Sequence, residues 1–492
     1  MVNESKTTAS SSLLSSAVPV VSPLNVVAGG SDVIQSGASI TSPAMIYGAT
    51  AKATGGVLTL QDGGSISGSI MFFGAGGEFA DASHSADAFN FYGGGGVIAL
   101  GAAGQTANIY NTSAGADAVT GSNMAVNLMG AQATVTGGGN CVTFVSGANT
   151  QVTLAGAGGA WDTVVGSGGA ATVEGMDASF VGGDETIHAT AGSWLSLYST
   201  GGNADTVFAS DDYVILNSAA ADITGSGDAI YTLGPSELNL TGVGNGWSGV
   251  YGSDDTVSLD DARVAISGGD ETINANAGST LSLFGANGHA DTVDASGVTV
   301  IVSGSQATLV GGGDTIYAGA GASLNLSGTA GAWDALFGSN ADVSMTSAEA
   351  TIIGGGDIIA ASRSDVSLSG ANGAADSVTG AYDTIALGNS QATLQGSHDN
   401  VYFSGASSLT VAGANDTFNF AASLGQASIT GFASSDSIGL SKTDWASFSA
   451  LQASHDMTQS GADTIVRLDA SDTLTLKSVQ MSTLTASQFA FS

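Results

Sequence analysis

Hydrophobic positions in this chain fall in short alternating runs, not in helical stripes. Pairs of aliphatic residues flanking one small polar residue recur at Val152 and Leu154, Leu195 and Leu197, Leu238 and Leu240, Leu281 and Leu283, Leu324 and Leu326, Val366 and Leu368, Leu409 and Val411. The step is 43 residues, once 42, and Ile109 lies one step upstream of Val152. A period of two marks strands with one buried face and the middle Ser, Asn or Thr outside. Gly, Asn, Asp and Ser between the runs supply turns. The spacing predicts a repeat array from about residue 106 to about residue 412.

A second, mostly acidic ladder divides each unit: Asp117, Asn140, Asp162, Glu185, Asp205, Asp228, Ser248, Glu271, Asp291, Asp314, Asp334, Asp357, Asp376 and Asp399. Its intervals mostly alternate between 23 and 20 residues, and most members precede Thr, Ser or Ala and then Val, Ile or Leu. Each repeat then reads as two turns of about 21 residues, room for three short strands and three corners at roughly 3.3 Å per residue. The expected fold is all-β: a parallel β-helix (β-solenoid) of about 21-residue rungs paired into 43-residue repeats. Roughly fourteen rungs about 4.8 Å apart would stack, with equivalent leucines in one interior column and right-handed coiling. A β-propeller, whose blades also span roughly 40 to 45 residues, is the alternative. The resemblance between the two halves of each unit favours the solenoid.

The flanks differ from the array. Residues 1–62 are rich in Ser, Ala and Thr, and residues 63–105 hold more aromatics without clear register, as capping or degenerate rungs would. From residue 413 to 492 aromatics and aliphatics again alternate with polar residues, which predicts a small β-rich C-terminal domain.

Composition changes the picture in three ways. With 74 glycines but 4 prolines and 43% hydrophobic residues, the chain has the material for a narrow packed interior. Its 42 acidic against 7 basic residues give a net charge of −35, which excludes nucleic acid as a partner and favours divalent cations. No apolar run is long enough for a membrane-crossing helix. The opening MVNESKTTASSSLLSSAVPVVSPLN makes a poor cleavable signal peptide. Cys141, the single cysteine, reads as a small buried side chain.

Stacked ladder residues would form rows of carboxylates, and like charges about 5 Å apart repel by roughly 0.8 kcal/mol even in water. Two accounts offset that. Carboxylates and carbonyls are the hard oxygen ligands calcium prefers, so Asp162, Glu185, Asp205, Asp228, Glu271, Asp291, Asp314, Asp334, Asp357, Asp376 and Asp399 are candidate calcium positions. Alternatively each carboxylate accepts backbone N–H bonds at a corner. The uncharged Asn140 and Ser248 suit both accounts.

Catalytic chemistry is thinly represented. Arg263 and Arg363 are the array's only strong bases, and His188, His289 and His398 are scattered. The neighbours Asp254 with Asp255, and Asp260 with Asp261, are the carboxylate pairs a glycosidase would draw on. Trp161, Trp247 and Trp333 recur at 86-residue spacing and, with Trp194, offer either corner packing or a stacking surface for polysaccharide.

Fragments of the array and the C-terminal segment resemble a known family. Gly311–Gly321 (GGGDTIYAGAG), SGGDETINANAG and GSGDAIY resemble the glycine- and aspartate-rich nonapeptides of RTX proteins, the haemolysin-type calcium-binding exoproteins, although here they occur singly and on a longer turn. The last 80 residues are similar to the C-terminal domain of type I secreted members of that family. The matching positions are Asp416, Phe418, Phe420, Ile429, Phe432, Asp436, Ile438, Leu440, Gly461, Asp463, Thr464, Asp472, Leu474, Leu476, Val479, Leu484, Phe489 and Phe491.

The resemblance implies export in one step through the type I secretion machinery, a retained C-terminal signal and stabilisation by calcium. The expectation is a secreted, non-enzymatic structural or adhesive solenoid of a cell surface, matrix or biofilm, in contact with polysaccharide or with its own copies. A β-helix lyase, epimerase or glycosidase, or a solenoid that binds ice or a polymer, are the alternatives.

Overall fold

A computed structural model of the protein describes residues 77–492, apart from 83–85, 111–114, 147–148, 157–158, 200–202, 286–288, 329–331, 371–373 and 421–423. Before residue 77 it describes the strands Ser11–Leu14, Leu24–Val26, Ser31–Ile34, Ser39–Ile40, Ala44–Tyr47, Val57–Leu60, Ser65–Ile66 and Ile70–Phe73. The opening segment through residue 10 lies outside the described residues. The protein is a parallel β-solenoid with, among the described residues, one short α-helix, Phe448–Ala453. None of the described helices is long and apolar enough to cross a membrane. The chain forms two compact units, Met1–Gly249 and Val250–Ser492.

In the first unit each turn gives one strand to each of two parallel sheets. Sheet I includes Asp117–Thr120, Gln132–Thr136, Gln151–Ala155, Ala170–Glu174, Thr186–Ala189, Asp205–Phe208, Ala220–Gly225 and Glu237–Gly242. Sheet II includes Ala125–Met129, Cys141–Ser146, Asp162–Ser167, Asp177–Gly183, Trp194–Ser199, Tyr213–Leu216 and Ala229–Thr232. The second unit is built the same way. Its sheet III runs from Thr256–Asp260 through Thr272–Ala275 and Ala290–Ser296 to Ser408–Val411 and Gln426–Thr430, and its sheet IV from Arg263–Ser267 through Thr280–Phe284 to Thr417–Phe420 and Ser437–Leu440.

The rung therefore differs from the triangular one expected. A turn has two strands, and its length varies: Asp162 faces Ala178 in the next turn of sheet II, whereas Cys141 faces Thr163. The 43-residue repeat holds five strands, two and a half turns, so its copies land alternately on opposite sheets. In the first unit Val152 and Leu154 lie in sheet I, Leu195 and Leu197 in sheet II, and Leu238 and Leu240 in sheet I. In the second, Leu281 and Leu283 lie in sheet IV and Leu324 and Leu326 in sheet III. Equivalent leucines thus do not form one column. Leu195 stacks between Ala178 and Val214, not between its repeat equivalents Val152 and Leu238.

The alternation itself holds in most strands; in Trp194–Ser199 and Thr280–Phe284 the intervening Ser196 and Ser282 are buried as well. In Gln132–Thr136 Ala133 and Val135 are buried, and in Thr299–Ser303 Val300 and Val302 are. Burying such side chains stabilises by roughly 1.5–3 kcal/mol each. The same rule corrects the reading of Cys141: it is exposed, because Asn140 and Val142 on either side point inward. Regular turns already occupy the poorly registered stretch before residue 106. There Phe79, Phe89 and Phe91 pack with centroids 4.9 to 6.3 Å apart, and Phe72 stacks on Phe91 at 5.9 Å, so aromatics replace aliphatics without changing the period.

The second unit ends in a cap. Thr473–Lys477 joins sheet III parallel to Gln426–Thr430, and Asp463–Arg467 and Met457–Ser460 follow it antiparallel. Phe489–Phe491 closes sheet IV on Ser437–Leu440. The Trp445 indole N–H donates to Ser454 Oγ at 3.2 Å and Asp456 Oδ2 at 3.1 Å, fastening the helical segment to the cap. The reversal of strand direction ends a stack that would otherwise present an open edge.

Candidate functional site

A corner leads into each strand, and in most turns a side chain at its end turns inward. The backbone N–H there lies at the margin of the strand ladder, where it needs another acceptor. At many corners of this chain the acceptor is a side chain one turn further on, while at others, such as Ala322, it is a carbonyl of the same corner. Asn140 N–H donates to Asp162 Oδ1 at 2.7 Å, Glu185 to Asp205 Oδ1 at 3.1 Å, and Asp228 to Ser248 Oγ at 3.4 Å in the first unit. In the second unit Glu271 donates to Asp291 Oδ1 at 3.4 Å, Asp314 to Asp334 Oδ1 at 3.0 Å, and Asp357 to Asp376 Oδ1 at 3.1 Å.

This pattern explains the two ladder intervals. The shorter step is one full turn and joins neighbours in the same sheet through the hydrogen bond just described. The longer step takes in three strands and moves to the opposite sheet, as from Asp162 in sheet II to Glu185 at the edge of sheet I. The ladder is thus a set of bonded pairs distributed between the two sheets of each unit. All eleven candidate calcium positions are buried, as are Asp117, Asn140 and Ser248.

Other members of the columns lie off the 20- and 23-residue spacing and escaped it. Asp212 accepts Ser193 N–H at 2.8 Å, and its own N–H donates to Asp228. In sheet IV, Ser364 donates to Asp383 at 2.9 Å, Asp383 to Asp399 at 3.0 Å, Asp399 to Asp416 at 3.0 Å and Asp416 to Asp436 at 3.2 Å. Four carboxyls on successive turns make this an unbroken acidic run. It passes the residue-413 boundary, so the solenoid turn persists into the C-terminal segment. The signal that could have revealed Asp383 is its Asp-Thr-Ile triplet, shared with Asp314.

Burial raises the carboxyl pKa values. Desolvation pushes Asp117, Asp228, Asp334, Asp376 and Asp399 up to about 6, against the lowering effect of the N–H bonds they accept. Glu185 and Glu271 rise to about 9, through desolvation first and then the adjoining Asp205 and Asp291. The hydrogen-bonding account of the ladder is the one whose geometry is visible. No group of three or more His, Cys, Asp or Glu among the described residues converges as a metal site would.

The remaining candidates stay apart. His188 stacks on Phe208 at 4.6 Å, His398 on Tyr382 at 5.1 Å, and His289 meets Asp270 at 2.8 Å. Asp255 is buried whereas Asp254 is exposed, so these neighbours face different surroundings, and Asp260 and Asp261 are both exposed. Trp161 lies just before strand Asp162–Ser167 of sheet II and is exposed, as are Trp247 and Trp333, and Trp194 spends one ring face on Tyr213 at 4.4 Å. Comparison with protein-family models and with curated proteins finds no match for this chain.

Proposed function

We propose that the protein is an extracellular structural or adhesive scaffold, exported through a type I secretion machinery and stabilised outside the cell by calcium. Repetition carries this reading: one carboxyl-to-N–H bond recurs turn after turn in both sheets of each unit, so successive turns do the same mechanical work. Chemistry that acts on a substrate needs unlike groups gathered at one place. Here like groups are spread evenly, and histidines and arginines are dispersed among them.

Export rests on the similarity of residues 413–492 to secretion-signal domains and on the charge of −35, which an external supply of divalent cations would offset. Exposed carboxylates such as Asp184, Asp254 and Asp270 are where calcium acts in this reading. A regular outer face of Thr, Ser and Asn, exemplified by Thr153, Thr172 and Asn239, suits contact with polysaccharide or another copy of the chain.

The test is expression of the full chain in a bacterial host with and without a type I exporter. Appearance in the medium only with the exporter supports the reading, and equal distribution in both hosts rejects export. A thermal melt in calcium and in chelator tests the cation: a higher midpoint in calcium is expected, and coincident curves reject it. Turnover of a uronate or neutral polysaccharide would favour the enzymatic alternative.

A further inference from the structure

Three carboxyls of the acidic run in sheet IV are only half accounted for by the hydrogen-bond ladder. Asp383, Asp399 and Asp416 are 1%, 1% and 0% exposed. Each Oδ1 accepts an N–H from the preceding turn, while each Oδ2 is buried without a hydrogen-bond partner. What stands opposite is another acceptor. Three residues before each acid is a glycine, and a methyl group placed on it would crowd both the carboxyl and a backbone carbonyl of the turn before. On Gly396 it would lie 2.7 Å from Asp399 Oδ2 and against the Gly380 carbonyl oxygen. On Gly413 it would lie 3.0 Å from Asp416 Oδ2 and against that of Gly396, and on Gly380 2.5 Å from Asp383 Oδ2 and against that of Ala361. Carboxyl and carbonyl oxygens therefore border the same small slot, and two buried acceptors are compatible only when a hydrogen lies between them.

The same arrangement in the first unit shows what fills the slot. Asn140 holds a column position with an amide: its Oδ1 accepts Met124 N–H at 3.2 Å, and its Nδ2 donates to the Gly121 carbonyl at 3.4 Å. Gly137, three residues earlier, is again the glycine whose added methyl would strike that carbonyl. An amide and a protonated carboxyl have the same shape, with N–H in one where O–H stands in the other. Asp436, at the end of the run, supplies the contrast: its Oδ1 accepts Asp416 N–H and its Oδ2 accepts Ala433 N–H at 2.8 Å, a pattern for a carboxylate.

We propose that Asp383, Asp399 and Asp416 stand in the folded protein as neutral carboxylic acids, each donating its Oδ2–H to the corner carbonyl of the preceding turn, so that the run is a proton-held clamp that loosens as the medium becomes alkaline. The charged groups facing it act in the same sense. Asp365 and Asp399 lie by Asp383, Asp383 and Asp416 by Asp399, and Asp436 by Asp416, all disfavouring further negative charge; only His398 opposes them at Asp416. Burial is the leading cause of the upward pKa shift at all three, and it outweighs the lowering effect of the backbone N–H groups of Ser364 and Ala381 at Asp383, of Asp383 and Tyr382 at Asp399, and of Asp399 and His398 at Asp416. This inference is independent of export and of any scaffold role.

The full chain in chelator is compared with the triple variant Asp383→Asn, Asp399→Asn, Asp416→Asn and with Asp399→Asn alone. Asparagine keeps the acceptor and places a permanent donor in the slot, so the triple variant should fold and lose most of the pH dependence of unfolding. Between the unfolded and folded pKa values three protons make the wild-type unfolding constant rise up to about a thousandfold more per pH unit than in the triple variant, and the single variant removes about a tenfold share. Infrared spectra of the folded wild type at a pH between 3.8 and about 6 should show a protonated-carboxyl C=O band that weakens in Asp399→Asn and further in the triple variant. An unchanged pH slope in either variant, or a band of equal intensity in Asp399→Asn and wild type, overturns the proposal, and the single variant decides the matter if the triple does not fold.

Discussion

Gly354→Ala should open the second unit locally. Gly354 lies three residues before Asp357, and a methyl group on it would overlap the Gly338 carbonyl oxygen and stand 2.7 Å from the Gly338 carbonyl carbon. The obstacle is backbone, held by the pairing of Asp334–Gly338 with Glu349–Ile353, so no side-chain rotation relieves it. Ordinary carbon contacts begin near 3.4 Å, and strands in a ladder sit roughly 4.8 Å apart, so relief means parting the two turns. Overpacking of this kind costs about 3 kcal/mol, the upper end of its usual range, or on the order of a hundredfold in the local opening constant. Gly304→Ala is the control: its φ of +63° strains alanine, but nothing lies within 4 Å of the added methyl. That strain alone is worth about 1–2 kcal/mol. Hydrogen exchange followed by mass spectrometry on both variants reads protection of Glu349–Ile353 and of Gln306–Gly312. If Gly354→Ala protects its strand as well as the control does, close corner stacking does not restrict this position to glycine.

Four other outcomes follow from the same geometry. Asp162→Ala leaves the buried Asn140 N–H without the acceptor now at 2.7 Å and should cost about 1–3 kcal/mol in denaturant titration, while Asp162→Asn costs less. Phe91→Ala removes a fully buried ring between Phe79 and Phe72 and should lose about 3–5 kcal/mol, seen as an early transition of the first unit. In chelator the whole chain should be most stable in acid. Asp117, Asp228, Asp334 and Asp376 rise from 3.8 to about 6, so the folded state holds protons the unfolded state has released; that contribution is complete below 3.8 and lost as pH passes about 6. Glu185 and Glu271 extend the loss towards about 9, and a melting temperature that climbs with pH across this range would contradict the assignment. Trp445→Phe deletes two hydrogen bonds in the cap and should lower its stability by about 1–3 kcal/mol, measured by exchange at Met457–Ser460.

Sequence alone determined the class of fold and, within the repeat array, the buried face of most strands. Alternation marks every second residue as interior whatever the strand's neighbours, and the acid-Thr-aliphatic triplets mark the places where a corner ends and a strand begins. It also located most of the buried acids, because residues set by one recurring corner recur with it. The number of strands per turn was decided only in three dimensions. A spacing of 43 residues is compatible with any division into turns, and the odd count of five strands, which sends Leu195 and Leu238 to opposite sheets, leaves no mark in a one-dimensional repeat. The same holds for partners: Asp399 bonds to Asp383 and Asp416 because parallel stacking brings residues a turn apart into contact, and those two lie off the ladder's spacing. Whether a carboxyl is satisfied on one oxygen, like Asp399, or on both, like Asp436, depends on the path of the next corner, which tertiary packing fixes and composition cannot express.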